Sequence, residues 1–243
     1  MGGLKAPRVG ILTFLHNQNF GSSLQAYALQ RVIREMGLTC EHLDYRPSRR
    51  EKIRNLLESG NHWKLVTEGL RKRRVRASQA GSRQKSRAIP EFYAKRMVLS
   101  PVCRDRKALG QQSGKYDVLL AGSDQVWNPI WLNPAYFLTF APGAVRKMAY
   151  AASLGVSRLS SEPKRRKMRA WTADFQAVSV REEEGAALME EITGKRPAVM
   201  PDPVLLLTRE EWSEVAVPMT SAEPYVLCYF IGENPAYWEK ARA

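Results

Sequence analysis

The sequence has few of the residues that metal centres and disulfide frameworks need. Its three cysteines, Cys40, Cys103 and Cys228, are far apart and odd in number, and its three histidines, His16, His42 and His62, are equally scattered. Neither set has the close spacing of a zinc site. Dispersed, odd thiols fit a reducing compartment better than a disulfide scaffold. No apolar run approaches the about 18 residues that suggest a membrane span. The short apolar run near the amino terminus ends at His16–Asn17 and is no export signal. The expectation is therefore a cytoplasmic protein. There is no GxGxxG, no P-loop and no internal repeat. Acidic residues are also scarce, 24 against 38 Lys and Arg, for a net charge of +14. The imbalance is local. Residues 46–107 hold 19 Lys and Arg against 5 Asp and Glu, and the remainder holds 19 of each. Such a block invites a nucleic-acid or membrane-surface reading. No nucleic-acid motif accompanies it, so a solvated helical excursion, or one lying near an anionic substrate, is favoured.

What is present points to a folded α/β chain. At 243 residues and 44% hydrophobic content the sequence can build a substantial core, as one large domain or one and a half medium ones. Its organising stretch is 9–30. An apolar run over 9–15 predicts a buried strand. A polar loop follows, His16, Asn17, Gln18, Asn19, Phe20 and Gly21, and Ser22 and Ser23 stand where a helix would begin as N-caps. The helical period continues to about Met36, with Gly37 as its stop. Strand, loop and helix form the first unit of a parallel sheet, in which ligands gather at the carboxyl ends of strands. The N–H groups at a helix start favour an anion. His16, Asn17, Asn19 and Gly21 are thus candidate contacts for a phosphate or carboxylate. A capped helix with nothing bound fits the spacing equally well.

Residues 40–45 predict a second strand. The span 49–100 interrupts the α/β rhythm with weakly amphipathic helical stretches, and its Ser-, Gln-, Gly- and Arg-rich piece at 77–88 has the composition of a mobile segment. The pattern resumes with a strand at 116–121 that runs into Gly122, Ser123, Asp124, Gln125, Val126, Trp127, Asn128 and Pro129. Gly122 permits a sharp turn. Ser123 and Asp124 place a hydroxyl and a carboxylate at the strand's carboxyl edge, where Asp124 could accept a sugar hydroxyl or its proton. An aspartate there also serves as an ordinary turn residue. Trp127 and Trp131 offer flat faces for a sugar, or for core packing. Further strands are expected at 147–154, closed by Gly155, at 177–180, and at 198–200. A basic helix is expected over 157–173, and another helix from the glutamates after Arg181 to Ile192. Arg181 stands at a strand end, where it could meet an anion or pair with an acid. Asp202, between Pro201 and Pro203, is a stiff loop carboxylate. The expected organisation is a domain over 1–217 with a basic helical excursion at about 49–100, a linker at 218–224, and the start of an incomplete second α/β domain over 225–243.

Five segments together, TFLHNQNFGSSLQAYALQ, YDVLLAGSDQVWNP, YAASLG, SVREEEGAALMEEITG and PDPVLLL, resemble the polysaccharide pyruvyl transferase family, with GSDQVWNP the most specific. Their order and spacing match the family's amino-terminal half, outside the basic excursion. The resemblance implies an α/β, Rossmann-like parallel sheet with flanking helices, as the amino-terminal domain of a GT-B-like two-domain architecture. It implies transfer of pyruvyl from phosphoenolpyruvate to two hydroxyls of one sugar, forming a pyruvate ketal and releasing phosphate. The acceptor would be a cell-surface polysaccharide or its lipid-linked precursor. No metal or cofactor is implied beyond phosphoenolpyruvate as donor substrate. The Arg and His residues credited in the family with holding that donor have no matching positions here. Asn17, Asn19 and Gly21 would line one wall, with Gly122, Ser123 and Asp124 on the other. Asp124 is the catalytic candidate, engaging a sugar hydroxyl; His16, Arg181 and Asp202 complete the substrate-binding set. The basic segment leaves open a peripheral contact with the inner face of a membrane; nucleic acid is not expected. The alternatives are a GT-B-type glycosyltransferase using a nucleotide sugar and a non-catalytic basic binding module. The transferase reading requires the turns at His16 and Gly122 to open onto a shared hollow at one rim of the sheet.

Overall fold

The computed structural model describes residues 6–17, 19–60 and 82–217, together with Cys228, Tyr237, Glu239 and Lys240. The readings made for 61–81, for the linker at 218–224 and for the rest of 225–243 lie outside the described residues. The chain divides into two units, Met1–Leu207 and Thr208–Ala243. In the second, Thr208 closes a capping box with Glu211 at the start of the short helix Arg209–Ser213.

The first unit is an α/β, Rossmann-like fold. Its strands are β1 (Arg8–Leu12), β2 (Thr39–His42), β3 (Val118–Ala121), β4 (Arg146–Ala152), β5 (Phe175–Val180) and β6 (Ala198–Val199). Its helices are α1 (Phe20–Glu35), α2 (Arg49–Ser59), α3 (Ser82–Arg96), α4 (Arg106–Ser113), α5 (Glu162–Thr172) and α6 (Glu183–Thr193). The strands form one six-stranded sheet in the order β2-β1-β3-β4-β5-β6, and every neighbouring pair is parallel. From β1 the chain first steps outward to β2, then returns past β1 to β3. The order therefore reverses between β1 and β3, a topological switch point of the kind at which parallel α/β sheets bind ligands.

The strands alternate as a sheet covered on two faces should. Val9, Ile11 and Val118 pack with Leu29 and Ile33 of α1. Leu12, Leu119, Ala121 and Ala149 face the larger core, which holds Trp127, Phe137, Leu154, Met168 and Met189. Trp127 is fully buried and stacks on Phe137 at 5.1 Å and 7°, so it is a core side chain and not a sugar platform. Trp131 is 43% exposed. Near the end of β4 the register to β5 shifts. There Ala151 takes a left-handed backbone (φ 49°). Ser179 closes this irregularity: its Oγ accepts from Ala151 N at 3.0 Å and donates to Ala149 O at 3.1 Å. After β6 the chain turns at Asp202, and the 3-10 turn Pro203–Leu206 packs against α1.

Three elements differ from the sequence reading. Helix α1 starts at Phe20, before the serines, because the Asn19 side chain accepts from Gly21 N at 2.8 Å and Ser22 N at 3.4 Å. Residues 82–88, read as part of a mobile segment, belong to α3. Helix α4, in RKALGQQS, has too few apolar residues to show a period; Asp105 caps it through Ala108 N.

Candidate functional site

The loops after β1 and β3 meet at the carboxyl rim. Thr13 Oγ1 donates to Ser123 O at 2.7 Å, and Gln25 Nε2 donates to Thr13 Oγ1 at 3.1 Å and to Ser22 O at 2.9 Å. Gly122 makes this approach possible, since a Cβ there would lie 3.0 Å from Thr13 Cβ. The first turn of α1 then reaches across the switch point. Ser22 Oγ donates a hydrogen bond to Asp124 Oδ2. Asn17 Nδ2 donates to Ser22 Oγ at 2.8 Å, and Asn17 Oδ1 accepts from Asn19 N at 3.2 Å. Asn17, Asn19, Gly21, Gly122, Ser123 and Asp124 thus sit together where two adjacent parallel strands end.

Asp124 adopts a left-handed backbone (φ 77°), uncommon for a residue with a Cβ. Several bonds hold it. Its Oδ1 accepts from Gln125 N at 2.7 Å, and its carbonyl accepts from Val126 N and Ser153 N at 2.8 and 2.9 Å. The last bond ties the β3 loop to the end of β4. Gly155 tightens the same junction: it has φ 61°, and a Cβ there would lie 2.7 Å from Asn128 Nδ2 and Gln125 Cδ. Ser123 is fully buried, and among the described residues its hydroxyl has no partner. The amides of Gly21 and Ser22 are met by Asn19, which takes the place of the anion expected at that helix start.

His16 also has a left-handed backbone (φ 61°). Its Nε2 lies 2.8 Å from Asp44 Oδ1. Asp44 is 3% exposed and carries a second partner, Arg46, whose Nε and Nη2 donate to Oδ1 and Oδ2 at 2.8 Å each. Burial by itself would raise the Asp44 carboxyl. The hydrogen bonds from His16 and Arg46, with their charges, outweigh it and hold the pKa at about 2. The same bond raises the Arg46 guanidinium above its ordinary value. Tyr93 sets its ring edge-on to His16 at 5.4 Å, and its hydroxyl lies 2.8 Å from Ser23 Oγ. Burial raises the Tyr93 hydroxyl.

Asp44, Arg46 and Tyr93 were not among the sequence-predicted site residues. Asp44 falls within the strand expected over 40–45. The available signal was an acid beside the carboxyl end of that strand, two residues before an arginine.

Arg181 and Asp202 lie at the ends of β5 and β6 and pair with each other, Nη1 to Oδ2 at 2.8 Å. Arg181 Nε also donates to Glu182 Oε1 at 2.9 Å, and Asp202 Oδ1 accepts from Val204 N at 3.0 Å. Two carboxylates already meet the Arg181 charge. Among the described residues no hydrogen bond links this pair to Asp124 or His16. Near Asp202, the Tyr150 hydroxyl is buried with no partner among the described residues, and burial and the Asp202 charge raise its pKa.

Among the described residues no group of three or more His, Cys, Asp or Glu is placed to hold a metal ion, and no helix is long and apolar enough to cross a membrane. A hollow of about 420 Å³ lined by Arg169, Phe175, Met189 and Lys195 lies at the amino end of β5, the opposite end from this rim.

Comparison with curated proteins and with solved structures returns no match. The description of the polysaccharide pyruvyl transferase family matches residues 19–239. That match takes in the rim segments from Asn19 onward and also the basic excursion, which the sequence reading had set outside the resemblance. It spans most of the chain, as the resemblance read from the five segments does. On that match the chain belongs to the polysaccharide pyruvyl transferase family.

Proposed function

We propose that this chain transfers the pyruvyl unit of phosphoenolpyruvate to a sugar of a polysaccharide, or of its lipid-linked precursor, giving a pyruvate ketal and inorganic phosphate. One observation carries the reading: the loops after β1 and β3 are joined across the switch point by Ser22 and Asp124, the position where parallel α/β sheets bind ligands. Asp124, fixed by Ser22 Oγ and Gln125 N, keeps further lone pairs to accept from a sugar hydroxyl. Asn17 and Asn19 add amide groups along the same wall. Arg181 and Asp202 form a second polar pair at the ends of β5 and β6, beyond β4, suited to a sugar hydroxyl more than to an anion, because the arginine is already paired.

The donor can be tested directly. Thermal unfolding is measured with phosphoenolpyruvate and, separately, with nucleotide sugars. A ligand at a hundredfold excess over its Kd adds about 2.7 kcal/mol, or roughly 5–10 °C for a protein of this size. Stabilisation by phosphoenolpyruvate and not by nucleotide sugars is expected. The opposite result would move the chain to the glycosyltransferase reading. The basic block at 46–107 supports a peripheral contact with an anionic bilayer. Co-sedimentation with vesicles containing phosphatidylglycerol, lost at high salt, is expected if that contact forms.

A further inference from the structure

The rim holds two ionisable side chains in left-handed backbone positions, and they are not equally placed to move a proton. Asp124 is engaged at both oxygens, by Ser22 Oγ and by Gln125 N. His16 is different. Its backbone (φ 61°) is strained for a residue with a Cβ, and it is held where the ring meets Asp44. Asp44 is buried and takes bonds from Arg46 at both oxygens as well as from His16. An ionised carboxylate only accepts hydrogen bonds. The proton of the neutral imidazole therefore sits on Nε2, and Nδ1 keeps a lone pair.

Among the described residues Nδ1 has no hydrogen-bond partner, and the side chain is 24% exposed. The ring is held from another side by Tyr93, whose hydroxyl is fixed to Ser23, the neighbour of the Ser22 that holds Asp124. His16 and Asp124 are thus both braced on the first turn of α1. Among the described residues, the charged and titratable groups in contact with the His16 ring are Asp44 and Tyr93, with Arg46 behind Asp44.

We propose that His16 Nδ1 is the base that takes the proton of the attacking sugar hydroxyl, and that Asp44 is its positioning residue. The proposal rests on the pyruvyl transfer reading for its substrate. As the hydroxyl proton passes to Nδ1, the oxygen's electron pair forms the bond to C2 of the enolpyruvyl group. The C2–C3 π pair takes a proton from solvent at C3. The second hydroxyl then displaces phosphate from C2, and its proton leaves with the phosphate. His16 returns its proton to solvent.

The test has two arms. In the unmodified chain labelled with ¹⁵N-histidine, NMR at neutral pH reads which ring nitrogen of His16 is protonated, the signal being assigned by its loss in His16→Gln. Nε2–H with bare Nδ1 is expected. In Asp44→Asn, whose amide can itself donate, the proton is expected to shift towards Nδ1. The second arm measures phosphate release from phosphoenolpyruvate with methyl β-galactopyranoside as acceptor. His16→Gln and Asp44→Asn are expected to lower kcat by about 10²–10⁴-fold while KM for phosphoenolpyruvate changes only a few-fold. An Nδ1–H tautomer in the unmodified chain, or His16→Gln turning over at the unmodified rate, overturns the base role alone. Absence of phosphate release by the unmodified chain overturns the transfer reading and the base role with it.

Discussion

Acid should weaken this fold in a window set by one histidine. His42, at the end of β2, is completely buried. Its Nε2 lies 3.0 Å from Ala26 O in α1, and among the described residues its Nδ1 has no partner. Burial penalises the imidazolium and lowers the pKa from 6.5 to about 4, against a smaller opposing pull from the Ala26 carbonyl. The folded chain therefore keeps this ring neutral while the unfolded chain protonates it. The stability it contributes is complete above pH 6.5, declines as the pH falls from 6.5 to about 4, and is gone below that. At about 1.4 kcal/mol per pH unit the loss is about 3 kcal/mol, roughly 6–12 °C in Tm for a protein of this size. The assay is urea unfolding at pH 7, 5.5 and 4.5 for the unmodified chain and for His42→Gln. Glutamine places an amide near Nε2, to donate to Ala26 O, and does not titrate. The variant should lose most of the decline. Asp44 does not interfere, because its own loss belongs between about pH 3.8 and 2. Parallel pH slopes for the two proteins would refute the reasoning.

Other substitutions probe the scaffold. Gly155→Ala forces a methyl against Asn128 and Gln125 in a left-handed backbone, and should cost at least about 2 kcal/mol by chemical denaturation. Ser179→Ala removes the acceptor for Ala151 N inside the sheet; a loss of about 1–3 kcal/mol is expected, and an unchanged urea midpoint would contradict the role given to Ser179. Trp127→Ala should cost about 3–5 kcal/mol, whereas Trp131→Ala, at a 43% exposed site, should change stability by under about 1 kcal/mol. Equal losses would mean that Trp127 is not the core anchor.

The α/β frame could be read from apolar runs because buried parallel strands are nearly uniform in hydrophobicity. RVGIL, VLLA and FQAVSV all fall within or beside expected strands. The shared rim was legible for the same reason: once two strands are parallel, their following loops lie on one side. What periodicity could not show was which side chains meet across the chain. Asp44 and Arg46 follow β2 at a distance in sequence from His16, and only the β1–β2 pairing brings them together. The N-cap was misplaced because Asn, Ser and Ser all suit that role; the geometry of Asn19 decides it. Helix α4 escaped notice because tertiary burial of Leu109 and a cap from Asp105 hold it, not an amphipathic pattern. Trp127 gave two readings from its residue type, and its stacking on Phe137 chose the core.

We propose that the joined rim of β1 and β3 carries out pyruvyl transfer. The most direct measurement is to supply ¹³C-labelled phosphoenolpyruvate with a sugar acceptor and follow ketal formation by NMR, in the unmodified chain and in Asp124→Ala. Acceptor-dependent ketal that falls by about 10²-fold or more in the variant is the predicted result. Ketal formed at the same rate with Asp124 removed, or transfer from a nucleotide sugar in its place, would contradict it.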